Sequence, residues 1–179
     1  NQVYLGLVVH LNYKNPYVYP YMEFQQMKHH PEIASLLKGG KRVAYGARAI
    51  SAGGYQSMPK AAFPGGALLG DSVGLGNYAR IKGNHNAMLS GLHAADAVVE
   101  AIKAGREGDT LDAYETELRT GDIAKDLLPV RNVKPLTTKL GLLGGLMASG
   151  FDMWFQTLTR KFSLFGTMKH GKSDAQATG

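Results

Sequence analysis

The pattern of apolar and polar positions is clearest after residue 86. Met88, Gly91, Leu92, Ala95, Val98, Val99 and Ile102 recur at helical spacing, with Asp96 and Glu100 on the other side. A helix is therefore expected from Gly83-Asn84-His85-Asn86 to a glycine stop at Gly105. Gly91, Ala94 and Ala95 leave room for close approach to a neighbour. Upstream, Val3 to Leu11 is β-branched and apolar and reads as a buried strand; Lys41 to Ile50 reads as another, ended by Gly53-Gly54. Between them, Tyr21 to Lys28 reads as a helix broken at His29-His30-Pro31, because a residue before proline avoids helical geometry. Pro31 then opens a second short helix through Leu37, and Gly39-Gly40 turns the chain. Pro59 keeps Tyr55 to Phe63 extended. Downstream, Asp109 to Asp126 reads as a polar helix or helix pair broken at Gly121, with Leu111, Tyr114 and Leu118 as its apolar stripe. Its charges are expected to form a solvated face. Pro129 and Pro135 punctuate the next stretch.

The stretch FPGGALLGDSVGLGNYARIKGNHNAMLSG, Phe63 to Gly91, carries the candidate chemistry. The short apolar run Ala67-Leu68-Leu69 ends in Gly70-Asp71, and a glycine-broken loop leads to the helix start at Gly83. A strand delivering a carboxylate, followed by a helix end delivering backbone N–H groups, suits a nucleotide cofactor that carries hydroxyls and negative charge. Asn84 and Asn86 read equally as helix caps and as side-chain donors to a ligand; His85 reads as a ligand neighbour or as a packed neutral imidazole. Four tyrosines at 13, 17, 19 and 21 form either a binding cage or a loop packed by its own rings. The adjacent histidines 29 and 30 lack a partner at helical spacing, which argues against a metal site. No nucleophile–base motif appears, so no catalytic residue is assigned.

Leu136 to Leu158 is the second informative stretch. Its apolar core of about 18 residues lies near the lower limit for crossing a bilayer, and glycines and Asp152 interrupt it. Lys134, Lys139, Arg160 and Lys161 flank it. Apolar, aromatic and basic residues together describe a segment lying in a membrane interface; a buried helix packed through its glycines is the other reading. Charge sharpens the picture. The chain of 179 residues has a net charge of +6, yet residues 131–179 alone carry 7 basic side chains against 2 acidic. That third of the chain suits an anionic surface, and no nucleic-acid motif accompanies it. Cysteine is absent, which excludes disulfides and thiolate-held clusters within these residues. The chain opens at Asn1 in an apolar run with no leader pattern, and is expected to be a piece of a larger protein.

Many short words recur together in one known family. They are Gly6-Leu7-Val8-Val9, Asn15-Pro16-Tyr17, Glu23-Phe24-Gln25, Lys28-His29-His30-Pro31, Gly39-Gly40-Lys41-Arg42, Ala44-Tyr45-Gly46-Ala47-Arg48, Phe63-Pro64-Gly65-Gly66 and Ile81-Lys82-Gly83. In these the chain resembles the electron transfer flavoprotein–ubiquinone oxidoreductases, from about Val3 to about Asp174. Arg131-Asn132 matches part of an Arg-Asn-x-x-Pro word of the same family.

The resemblance implies a mixed α/β and α+β fold, part of a glutathione-reductase-type two-domain FAD-binding fold with a quinone-binding, membrane-contacting helical region. It implies residues 1–62 in a quinone or substrate domain, 63–108 in the C-terminal part of the FAD domain, 109–168 in a helical quinone and membrane region, and 169–179 in a linker toward an absent iron–sulfur domain. FAD would be met by Gly70, Asp71, Gly83, Asn84, His85 and Asn86, with Asp71 accepting from a ribityl hydroxyl or the phosphate linker and the helix end facing the flavin N1–C2 edge. Such a helix end stabilises reduced flavin by about 0.3–1 kcal/mol. The family has Thr-His-Thr where this chain has Asn84-His85-Asn86, so backbone donation carries over more directly than side-chain donation. Leu140, Leu143, Leu146, Met147, Phe151, Trp154 and Phe155 would face quinone and membrane. The ligands of a 4Fe-4S cluster would lie outside this chain. The implied partners are electron transfer flavoprotein, ubiquinone and a membrane surface, bacterial cytoplasmic or mitochondrial inner, and not nucleic acid. Two other readings compete: a geranylgeranyl-reductase-like FAD oxidoreductase, and a non-catalytic membrane-surface module.

Overall fold

The computed structural model describes residues 2–11, 13, 15–159 and 162–169. The chain divides into two units, Asn1–Arg48 and Ala49–Gly179.

In the first unit, proline starts both helices. Helix α1 spans Pro20–Met27 and helix α2 spans Pro31–Leu37, each with proline in its first turn. The fixed φ of proline suits that position, and its missing N–H costs nothing there. His30, before Pro31, is extended at φ −58° and ψ 132°, as the steric rule requires. Gly39 turns the chain at φ +75°. The two strands expected at Val3 to Leu11 and Lys41 to Ile50 are not formed: the described residues of both runs belong to no strand ladder. Their composition favours an extended backbone, but a strand exists only where another strand accepts its hydrogen bonds. The tyrosines at 17, 19 and 21 are exposed, so this loop is not packed by its own rings; Tyr19 and Tyr21 touch, with ring centroids 5.9 Å apart.

The second unit carries the core. A hairpin pairs β1 (Ala62–Phe63) with β2 (Gly66–Ala67) in antiparallel register, Ala62 opposite Ala67. Pro64 and Gly65 make its turn, and Gly65 sits at φ +76°, the left-handed position that a type II turn reserves for glycine. Leu68 extends the pairing by donating its N–H to the Ala61 carbonyl at 2.8 Å. The chain then folds through a 3-10 turn, Gly70–Val73, and the expected long helix follows as α3, Asn84–Lys103. It stops as its sequence indicates: Gly105 is left-handed at φ +66°, and Arg106 N–H reaches back to the Ala101 carbonyl. Helices α4 (Asp112–Thr120) and α5 (Asp122–Leu127) break at Gly121.

Tyr114, Leu118, Ile123 and Leu127 from α4 and α5 pack with Val73, Leu75 and Ala94 into one core. Helix α4 also clamps the hairpin. The Glu115 carboxylate accepts the Ala61 N–H at 2.7 Å and the Ala62 N–H at 3.2 Å, while Arg119 donates to the Met58 and Pro59 carbonyls. Burial works against the charged Glu115 carboxylate, but the Arg119 guanidinium and these two N–H donors outweigh it and hold its pKa below the usual carboxylate range. The solvated face expected for this region is therefore corrected at Glu115, and again below at Asp126.

Helix α6, Val133–Leu158, is bent at Gly141, where φ +71° and ψ −177° leave the helical region. Past the bend the helix returns close to its own first turns. A side chain at Gly145 would overlap the Thr137 backbone, whose nitrogen lies 2.7 Å from the position of such a Cβ. Among the described residues the fold is thus mostly helical with one two-stranded sheet. The region 169–179 assigned to a linker lies, beyond Lys169, outside the described residues.

Candidate functional site

The start of α3 is where the sequence-indicated residues converge. Gly70 is left-handed at φ +59° and packs against α3: a Cβ on it would lie 3.3 Å from the Ala87 Cβ. Its N–H donates to the Ser90 hydroxyl at 2.9 Å, and that hydroxyl donates to the Ala87 carbonyl at 2.7 Å. Ser90 is fully buried, so this tie fixes Gly70 and Asp71 against the first two turns of α3. Asp71 itself is exposed, in the first turn of the 3-10 segment. Gly83 precedes the helix at φ −145°, and its missing side chain matters, since a Cβ would sit 3.2 Å from the Gly76 Cα.

No side chain caps the first turn of α3. Its leading N–H groups lack intrahelical acceptors by geometry, so they are available to an acceptor from outside. Asn84 and His85 are exposed, while Asn86 is fully buried. The Asn86 amide donates to the Leu75 carbonyl at 3.1 Å and to Asp126 Oδ2 at 3.1 Å. Both partners are acceptors, which fixes the amide orientation and leaves Asn86 Oδ1 buried with no partner. The capping reading for these asparagines gives way to this arrangement. These features fit a polar cofactor that carries acceptors and donors: an uncapped helix end, an exposed carboxylate beside it, glycines where the backbone must be bare, and one orphaned buried acceptor.

Asp126, which sequence reasoning left in a solvated face, belongs to this site. Its carboxylate receives Asn77 at 3.0 Å, Asn86 and His85 at 3.1 Å, and Arg80 at 3.0 Å. Burial pushes its pKa up, but those hydrogen bonds and the Arg80 charge prevail and lower it. The one sequence signal was position: Asp126 lies in the last turn of α5, beside the apolar Ile123 and Leu127, and so near a buried face.

The second group of candidates is arranged differently. Leu140, Leu143, Leu146, Met147, Phe151 and Trp154 are exposed along α6, Phe155 is half-buried, and Phe151 stacks on Trp154 with centroids 5.8 Å apart. They form an open face and not a closed pocket. Past the bend the inner face of the helix is small and polar: Gly145, Ser149, Asp152 and Gln156 are buried. Asp152, which interrupts the apolar run in sequence, accepts from the Ser163 hydroxyl at 2.8 Å, the Leu164 N–H at 2.9 Å and the Gln156 amide at 2.9 Å. Asn132 donates to Ser163 and to the Gly166 carbonyl, and accepts the Met168 N–H. The Arg131-Asn132 word thus has a structural role, strapping residues 163–168 back onto α6. Among the described residues no helix is long and apolar enough to cross a membrane.

A groove of about 290 Å³ between α3 and α4, lined by His93, Asp96, Glu100, Tyr114 and Glu117, involves none of the candidate cofactor, quinone or membrane residues.

Comparison with known proteins defines first a class: residues 1–50 match the family described as ETF-QO, ubiquinone-binding. The relatives extend the match over most of the chain. The electron transfer flavoprotein-ubiquinone oxidoreductase of Pseudomonas aeruginosa is 51% identical over 146 residues, 81% of this chain and 26% of that protein. The probable mitochondrial enzyme of that name from Schizosaccharomyces pombe is 46% identical over 183 residues, 99% of this chain and 28% of its own length. The Homo sapiens mitochondrial protein is 44% identical over 182 residues, 95% of this chain and 30% of its own length. The chain belongs, as a segment, to the electron transfer flavoprotein–ubiquinone oxidoreductase family. It spans under a third of the length of these relatives.

Proposed function

We propose that this segment completes the FAD site of an oxidoreductase that passes electrons from reduced electron transfer flavoprotein to ubiquinone at a membrane. The observation that carries the reading is the junction at α3. An uncapped helix end and the exposed Asp71 are tied into one surface through Gly70 and Ser90. Asp71 would accept from a ribityl hydroxyl or the phosphate linker. The N–H groups at Gly83, Asn84, His85 and Asn86 would face the pyrimidine edge and favour the negative charge of the reduced ring. FAD supplies the electron storage when bound. The protein's part is to hold the ring, bias its charge and exclude water.

The match over residues 1–50 supports ubiquinone binding in the first unit. The exposed row Leu140, Leu143, Leu146, Met147, Phe151 and Trp154 supports contact of the second unit with the membrane interface, where an isoprenoid substrate is dissolved. Cysteine is absent here, so the ligands of a 4Fe-4S cluster would come from elsewhere in the longer protein. The test uses the full-length protein. Its visible spectrum should be that of a flavin, reduced by reduced electron transfer flavoprotein and reoxidised by a soluble quinone. Asp71→Ala should lower FAD retention; unchanged flavin content would remove the role given to Asp71. A folded, colourless wild-type protein would overturn the whole reading.

A further inference from the structure

We propose that Asp126 is a positioning residue for flavin binding, fixing the Asn77 to Lys82 turn and the start of α3 as one rigid surface. The inference rests on the FAD reading above.

Four side chains from residues 77–86 end on this one carboxylate. Oδ2 receives Asn77 Nδ2 at 3.0 Å, His85 Nε2 at 3.1 Å and Asn86 Nδ2 at 3.1 Å; Oδ1 receives Arg80 Nη1 at 3.0 Å. Asn77 and Asn86 are 1% and 0% exposed, so neither finds a substitute partner in water. Asn77 also accepts the Arg80 N–H at 3.1 Å, and Asn77 and Lys82 form a backbone bridge that closes the turn.

That turn is strained. Ile81 sits at φ +52°, a left-handed conformation that a β-branched residue adopts at a cost, and its side chain is 85% exposed. Burial of Ile81 therefore does not hold it there. Strain of this kind, about 1–3 kcal/mol, persists only where the surroundings over-determine the backbone. The Asp126 hub supplies that determination on both sides of Ile81, through Arg80 before it and His85 and Asn86 after it. Asp126 is itself anchored, because α5 buries Ile123 and Leu127 to 0% and 1% in the core. The chain thus runs from core to α5, to one carboxylate, to the turn and helix end proposed to meet the cofactor.

The test compares full-length Asp126→Asn, Asp126→Glu and Leu127→Val. The last loosens the same helix without removing a donor or acceptor of the hub. Three quantities are read: amide exchange at residues 77–86 in the FAD-free protein, FAD affinity by fluorescence titration, and the visible circular dichroism of bound flavin. Asp126→Asn is expected to speed exchange across 77–86, weaken FAD by about tenfold or more, and alter the flavin dichroism, since it removes charge-assisted hydrogen bonds. Asp126→Glu should restore most of the affinity and the dichroism. Leu127→Val should lower the melting temperature with affinity and dichroism kept. Wild-type affinity and dichroism in Asp126→Asn would overturn the proposal. A loss in Asp126→Asn matched by an equal loss in Leu127→Val at the same fall in melting temperature would overturn it as well. Exchange and flavin readouts separate the two levels: a wild-type protein that takes up no FAD sinks the functional reading, whereas flavin uptake indifferent to Asp126 sinks this proposal alone.

Discussion

In α4 and α5 the buried positions are Tyr114, Leu118, Ile123, Ala124 and Leu127, and the charged side chains are exposed or half-buried at the edge of this apolar face. In α6 the buried positions past the bend are Gly145, Ser149, Asp152 and Gln156, and leucine, methionine, phenylalanine and tryptophan point outward. Both segments have helical periodicity, with opposite polarity. The first is held by the transfer of apolar surface from water, worth about 1.5–3 kcal/mol for each large side chain buried. The second is held by close backbone approach and by a buried carboxylate with its donors, while its apolar face is exposed. Helix α3 leans the same way: Ser90, Ala94, Ala97 and Ala101 are buried, whereas Met88, Leu92, Val99 and Ile102 are exposed.

The sharpest way to break this contrast is one truncation on each side of it. Leu118→Ala should cost about 2–5 kcal/mol, because it empties a site that is 1% exposed. Leu143→Ala, at a position 78% exposed, should stay within about 0.5 kcal/mol. Urea unfolding of the full-length protein measures both. Equal costs would mean that the outward face of α6 is covered by protein.

A smaller effect probes how α6 is held. Asp152→Ala should destabilise by about 1–3 kcal/mol, since the Ser163 hydroxyl, Leu164 N–H and Gln156 amide lose their acceptor. Limited proteolysis should then cut within residues 162–169 faster than in the wild type. Wild-type stability and cleavage together would show that the strap is held by other contacts.

The smallest effect is in pH. Glu115 and Asp126 both have folded-state pKa values below the ordinary carboxylate range. A depressed carboxylate contributes stability that is complete above its unfolded pKa, about 4, and is lost as pH falls through the lower folded value. Stability should therefore decline below about pH 4, and Glu115→Gln should flatten that decline in urea midpoints measured from pH 7 to pH 3. An unchanged slope would remove the clamp on the hairpin from the account.

Elements announced by local chemistry were legible. Pro20 and Pro31 start helices, Gly105 and Gly121 stop them, and the Gly83 to Asn86 junction is where α3 begins. Elements that depend on a partner were not. Val3 to Leu11 has strand composition, yet composition names no neighbour to pair with. Periodicity located the two faces of α3 but not which one turns inward; the alanine face wins because small side chains let the 3-10 turn at Gly70–Val73 and α4 come close. Asp126 and Asp152 were read as a solvated charge and an interruption. Both are hubs, and apart from Gln156, one helical turn after Asp152, the donors that converge on them come from positions 11 to 49 residues away along the chain, where sequence spacing carries no signal.

The most direct test of the contrast between the two regions is flotation of the full-length protein with vesicles containing anionic lipid, comparing wild type with Leu143→Asp and Trp154→Asp. The account predicts that the wild type floats with the vesicles and that both variants, folded and flavin-loaded, stay largely behind. Equal flotation of all three would contradict it, because a charge would then sit on the outward face of α6 without cost.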